Sequence, residues 1–185
     1  MIGLKEKYNT EVIPKMMEKF NYKNRMAVPK LEKVVINTGF GKMIAGKGSD
    51  ERKKMINAIL EDLTLIAGQK PVLTKARKSV SSFKIRRGME IGAMVILRKK
   101  RMFDFLERLI NITLPRSRDF EGIDPKSMDK SGNLTVAIKE HISFFEILPE
   151  RIKNIFGLEF TVITTAKNKE QGLELLRLIG FPIKK

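Results

Sequence analysis

Apolar residues at Leu4, Tyr8, Val12, Met16 and Phe20, with Ile13 and Met17 beside them, recur at a helical period and predict an opening helix. Pro14 falls inside that stripe, so a kink or a division into two short pieces is expected. LEKVVINT then alternates, with Glu32, Val34, Ile36 and Thr38 on one face and Lys33, Val35 and Asn37 on the other, as a strand requires. Gly39, Gly41, Gly46 and Gly48 mark a loop. The stripe Ile56, Ile59, Leu60, Leu63 and Ile66 predicts a second helix from about Asp50 to Ala67, capped by Ser49 or Asp50 and stopped by Gly68.

PVLTKA and IGAMVIL read as two strands flanking a long polar segment, residues 77 to 88. KRMFDFLERLINITL predicts a third helix, ending before Pro115, and residues 116 to 132 read as a long surface loop. NLTVAIK and LEFTVITT are further strands, and NKEQGLELLRLI is a closing helix with Asn168 and Gln171 placed as a capping box. The order α-β-α-β-β-α-β-β-α encloses β-α-β-β-α-β, the split βαβ arrangement. The expected fold class is α+β: an antiparallel sheet with helices on one face, a split βαβ-like core and a long basic hairpin. One domain over residues 1–185, with long loops at about 77–88 and 116–132, is the economical organisation.

Gly41 to Lys47 matches the first seven positions of the phosphate-binding loop G-x-x-x-x-G-K-[ST], which raises a nucleotide-dependent enzyme as one reading. Three features oppose it. Lys47 is followed by Gly48 where the magnesium-ligating hydroxyl belongs, and Ser49 comes one residue late. The apolar strands run into Arg98, Lys139 and Lys167, with no carboxylate at their ends. The surrounding sheet also reads as antiparallel, whereas the motif belongs to parallel βαβ units.

Composition sharpens the picture. The chain of 185 residues carries 37 Lys and Arg against 21 Asp and Glu, a net +16, which attracts polyanions. There is no cysteine and His141 is the lone histidine, so thiolate zinc sites, His-pair metal sites and zinc fingers are excluded. The start is too polar for a secretory signal and the apolar runs too short for a membrane span, so a soluble intracellular protein is expected. The methionines, mostly on helical stripes, read as packing.

The charge is concentrated. Ten basic residues and one acid, Glu90, lie between Lys75 and Arg101, and the centre of that stretch is KARKSVSSFKIRRG. A hairpin with such a tip suits phosphate contacts, with Ser79, Ser81 and Ser82 as short donors and Phe83 free to stack or tuck in. A solvated loop is the plain alternative, disfavoured by repulsion among six cations with no intervening acid. A membrane surface would want an amphipathic helix, which this stretch does not make. A DNA-binding regulator lacks a heptad repeat or a clear helix-turn-helix, whereas an open antiparallel sheet suits folded RNA read by shape and backbone.

Several segments together make the chain resemble the bacterial-type large-subunit ribosomal protein five family: VVINTGFGKM, GQKPVLTKARKSVSSFKIRRGMEIGA, RMFDFLERLINITLPRSRDFEG, Gly132-Asn133, TTAK and the terminal GFPIKK. The resemblance runs from the first helix to the C-terminus in one order. It implies a non-catalytic protein without cofactor or metal that binds 5S rRNA in the central protuberance, with Lys33, Asn37, Thr38, Gln69 and Lys70 as rRNA-binding residues. It further implies that the basic hairpin approaches the elbow of the P-site tRNA through Lys75, Arg77, Lys78, Ser79, Ser82, Lys84, Arg86 and Arg87. The loop 116–132 would face a small-subunit head protein across an intersubunit bridge, with large-subunit rRNA and neighbouring ribosomal proteins as further partners and no membrane. The implied location is the cytoplasmic ribosome, with a bacterial and an organellar source both open. The sheet strand commonly reads G-x-K-V-T-L in that family. Here it is Gly92-Ala93-Met94-Val95-Ile96-Leu97, with apolar residues at a basic and a hydroxyl position.

Overall fold

A computed structural model describes residues 3–118, 120–148, 150, 152 and 154–184. The elements follow the expected order: helix α1 over residues 4–20, strand β1 (Leu31–Gly39), α2 (Ser49–Ala67), β2 (Val72–Lys75), β3 (Glu90–Leu97), α3 over residues 99–116, β4 (Leu134–Ile138), β5 (Leu158–Thr164) and α4 (Lys169–Ile179). The strands form one antiparallel sheet in the order β2-β3-β1-β5-β4, an α+β fold. The residues group into two compact units: Met1–Val34, Leu97–Val136 and Thr161–Lys185 in the first, Val35–Ile96 and Ala137–Phe160 in the second.

The prolines change two helices in a way the apolar stripe does not reveal. Pro14 lies at the start of the α-helical piece Ile13–Phe20 and Pro115 at the start of Leu114–Arg116, each preceded by a π turn, Tyr8–Val12 and Leu109–Thr113. A proline has no N–H and its ring crowds the carbonyl four residues back. Widening that turn makes room for the ring without ending the helix. The interruption expected at Pro14 is therefore a π turn, and α3 runs on to Arg116 instead of stopping before Pro115.

Caps differ as well. Gly48, rather than Ser49 or Asp50, is the N-cap of α2, so Asp50 and Glu51 support the first turn by charge against the helix dipole. Gly68 ends α2 at φ 64°, as expected of a left-handed stop. At α4 the capping box is displaced by one residue: the Gln171 amide oxygen accepts the Lys167 N–H at 3.2 Å, and the Asn168 side chain caps nothing.

In the first unit, α1 packs on α3 and α4. Buried Val12, Met16, Met102, Phe105, Leu106, Leu175, Leu176 and Ile179 form its interior. Each such side chain contributes about 1.5–3 kcal/mol on leaving water. The turn before β4 sits so close to α4 that a Cβ on Gly172 would lie 2.5 Å from the Gly132 Cα. The Thr164 hydroxyl donates to the Gly132 carbonyl at 3.0 Å, and Asn133 receives the Thr164 N–H at 3.0 Å while donating to Asp129 at 2.8 Å. Burial pushes the Asp129 carboxyl up, but hydrogen bonds from Asn133, Ser131 and Gly132 outweigh it and hold the group below the usual carboxylate range.

In the second unit, Ile56, Ile59, Leu63 and Ile66 of α2 are buried, as are Ile36, Phe40, Val95, Phe144 and Phe156. His141 is fully buried here: its ring stacks on Phe156 with centroids 4.1 Å apart, Nδ1 accepts the Phe156 N–H at 3.4 Å, and Nε2 lies 3.7 Å from the Asp62 carboxylate. The Nδ1 bond puts the proton of the neutral ring on Nε2.

Candidate nucleic-acid interface

Strands β2 and β3 pair antiparallel with Val72 opposite Met94, Leu73 opposite Ala93, Thr74 opposite Gly92 and Lys75 opposite Glu90, with an irregularity between Thr74 and Lys75. Beyond them the 77–88 segment continues as an ordered extension. Ala76 donates to the Met89 carbonyl at 2.8 Å, Gly88 donates to the Ala76 carbonyl at 2.9 Å, and Val80 and Ile85 exchange bonds of 2.9 and 3.1 Å. The Ser79 hydroxyl oxygen accepts the Arg87 N–H at 2.9 Å, so it pins the two arms. At the apex, Ser81–Phe83 forms a 3-10 turn closed by Lys84 at φ 52°. A β-carbon in that left-handed region costs about 1–2 kcal/mol, which glycine would avoid.

Lys75, Arg77, Lys78, Ser79, Ser82, Lys84, Arg86 and Arg87 are all exposed. Among the described residues none of the six cations makes a salt bridge. Lys75 stands opposite Glu90 at the base, so the five cations beyond it carry the field least offset by a local acid. Phe83 is 55% exposed, so it is not tucked into the hairpin.

The sheet of the second unit shows an alternation. Ile36, Thr38, Ala93 and Val95 are buried, while Val35, Asn37, Met94, Ile96, Val72 and Thr74 keep partial or full exposure. Asn37 lines an open depression with Gly39, Ala137, Lys139, Gly157 and Glu159. Gln69 and Lys70 occupy the turn between α2 and β2. The Asn37 and Gln69 amides have no hydrogen-bond partner among the described residues. Thr38 parts from this set, because its side chain is buried and its hydroxyl donates to the Gly157 carbonyl at 2.8 Å. Lys33 belongs to the first unit, half-buried, with its ammonium 3.7 Å from Glu32.

One residue that shapes this surface escaped the sequence reading. A Cβ on Gly92 would lie 2.7 Å from the Thr38 carbonyl oxygen and 2.8 Å from the Thr74 hydroxyl, so only glycine lets β3 approach β1 and β2 this closely. The signal was available: an isolated glycine within an apolar strand run.

The glycine-rich connection does not build a nucleotide site. Gly41–Ile44 forms a helical turn, and the Lys47 ammonium sits 2.8 Å from the Glu51 carboxylate. Gly41 instead lies beside the hairpin, where a Cβ would touch Ile85 and Ile91 at 3.5 Å. In the 116–132 segment, Asp119 lies outside the described residues; Ile123 and Met128 are buried, and Ile123 forms a bridge with Ile183. The segment is thus anchored at two points.

The glycine-rich loop, its lysine paired with Glu51, lies beside an ordered extension of exposed cations, a surface whose charge suits polyanions. Comparison with known proteins gives the family. Residues 24–86 match the profile described as ribosomal protein L5, and residues 90–183 match the profile of that ribosomal family's C-terminus. Large ribosomal subunit protein uL5 of Halothermothrix orenii is 49% identical over 98% of this chain and 98% of that protein. Its namesake in Geotalea daltonii is 48% identical over 100% and 99%, and that of Desulforapulum autotrophicum 50% over 100% and 99%. The chain belongs to the ribosomal protein L5 family. It is a structural protein of the large ribosomal subunit, acting in translation, and not an enzyme. No helix among the described residues is long and apolar enough to cross a membrane.

Proposed function

We propose that this protein binds 5S rRNA in the central protuberance through the uncovered sheet and its flanking turn, and touches the P-site tRNA through the 77–88 hairpin. The observation that carries this reading is the hairpin itself: exposed cations without acidic partners, held on a hydrogen-bonded extension. Preordering reduces the entropy lost on binding, and phosphate neutralisation supplies most of the affinity. Asn37 and Gln69, with free amides, offer directional contacts, and Lys33 and Lys70 add charge; Thr38 holds β1 from beneath. The buried anchors Ile123 and Met128 leave the rest of the 116–132 segment to face a small-subunit head protein.

The test is separability. Replacing Arg86 and Arg87 by Ala is expected to weaken tRNA retention on ribosomes while 5S rRNA binding by the purified protein survives. Replacing Asn37 and Gln69 by Ala is expected to do the reverse. Equal damage to 5S rRNA binding by both pairs would defeat the division of surfaces.

A further inference from the structure

The first unit carries a cationic turn that none of the contacts above uses. Between Lys19 and Lys30 the chain has Lys23 and Arg25 and no acid. At the head of this turn Met26 is 83% exposed, more than any other large apolar side chain among the described residues. A single exposed apolar residue is ordinary by itself. Here several hydrogen bonds hold the turn that presents it. The Asn24 side chain accepts the Met26 N–H at 2.8 Å, the Ala27 N–H bonds to the Asn24 carbonyl at 3.0 Å, and the Arg25 guanidinium reaches the Asn9 amide oxygen at 3.4 Å. Behind it, the Tyr8 hydroxyl donates to the Pro29 carbonyl at 3.0 Å. A flexible loop would let the thioether fold back onto the protein; this one holds it out.

We propose that this turn is a third RNA contact, in which Met26 packs against an exposed base of large-subunit rRNA while Lys23, Arg25 and Lys30 meet the adjoining phosphates. The three cations decide the kind of partner. Their uncompensated charge favours a polyanion over an apolar protein surface, and a polarisable thioether packs well on an aromatic ring. The inference rests on the large-subunit assignment but not on the hairpin or the open sheet.

Purified 5S and 23S rRNA serve as the probes, in salt-dependent binding by the full chain. Met26→Ala is expected to weaken binding to one of them about 2- to 10-fold with an unchanged salt slope, because the lost contact is not ionic. Met26→Leu is expected to keep binding within about 2-fold. Lys23→Ala with Arg25→Ala is expected to lower the slope by about 1.4–1.8. A diazirine amino acid at position 26, in assembled large subunits, is expected to label rRNA, and to do so equally when Arg86 and Arg87 are Ala. Labelling of a ribosomal protein alone, or unchanged affinity of Met26→Ala for both RNAs, would overturn the proposal. Loss of that labelling in the Arg86 and Arg87 variant would instead tie the contact to the hairpin and refute its independence.

Discussion

Lys84 is where strain and proposed function pull in opposite directions. Its φ of 52° costs a β-carbon about 1–2 kcal/mol, and nothing local requires a lysine there. Lys84→Gly removes that cost but adds about 0.5–1 kcal/mol of backbone entropy to the unfolded chain. The difference, a stabilisation of roughly 0.5–1 kcal/mol, raises the midpoint of thermal unfolding by about 1–4 °C for a chain of this size. The same change deletes one apex cation. Affinity for tRNA on ribosomes should therefore fall, with the salt slope reduced by about 0.7–0.9. Lys84→Ala separates the effects: it removes the charge and keeps the strain, so binding should fall equally while the unfolding midpoint stays put. Thermal scans of the free protein and tRNA retention at several salt concentrations measure both quantities. If Lys84→Gly bound tRNA as well as the parent, or if the two variants lost binding to different extents, the apex charge would not be the reason the strain is tolerated.

Gly92→Ala should cost about 1–3 kcal/mol, read as a lower urea midpoint, because its new methyl group meets a backbone carbonyl that cannot swing away. Gly172→Ala should cost a similar amount in the first unit, where the obstacle is the Gly132 backbone. His141 supplies a pH signature. Burial holds its pKa below the ordinary value of 6.5, against the opposing pull of Glu140. The unfolded chain thus binds a proton that the folded chain resists, so this contribution is complete above pH 6.5 and is lost below it, by at most about 1.4 kcal/mol per pH unit. The lone imidazole makes the check direct: its NMR signal should titrate below pH 6.5, and a normal or raised midpoint would refute the buried arrangement.

The element order, the phase of β1 and the long basic hairpin were legible in the sequence because each rests on a strong local signal: periodicity, alternation, or charge without compensation. Details fixed by the chain's own three-dimensional neighbours were not. Pro115 read as a helix end because a propensity rule cannot foresee that a π turn will absorb the ring. Gly48 displaced Ser49 as the cap, and Gln171 chose the Lys167 N–H over that of Asn168, because such bonds depend on dihedral angles that composition leaves free. In the candidate site, alternation already separated Asn37 from Thr38, and the structure finds Thr38 buried with its hydroxyl committed to Gly157. The resemblance had grouped the two regardless of face. Ser79 read as a donor to RNA, yet its oxygen first serves the loop by accepting the Arg87 N–H. Met26 stood out only once its exposure was seen, although the acid-free run from Lys19 to Lys30 was there to notice.

The natural absence of cysteine permits one direct trial of the central claim, that the 77–88 hairpin grips RNA. Ser82 is exposed beside the apex, so Ser82→Cys can carry a tethered iron chelate that cleaves nearby nucleic acid by hydroxyl radicals. In ribosomes assembled with the derivatised protein, cleavage of P-site tRNA at its elbow is the predicted result. Ribosomes that incorporate the protein yet show no tRNA strand scission from this position would contradict the account.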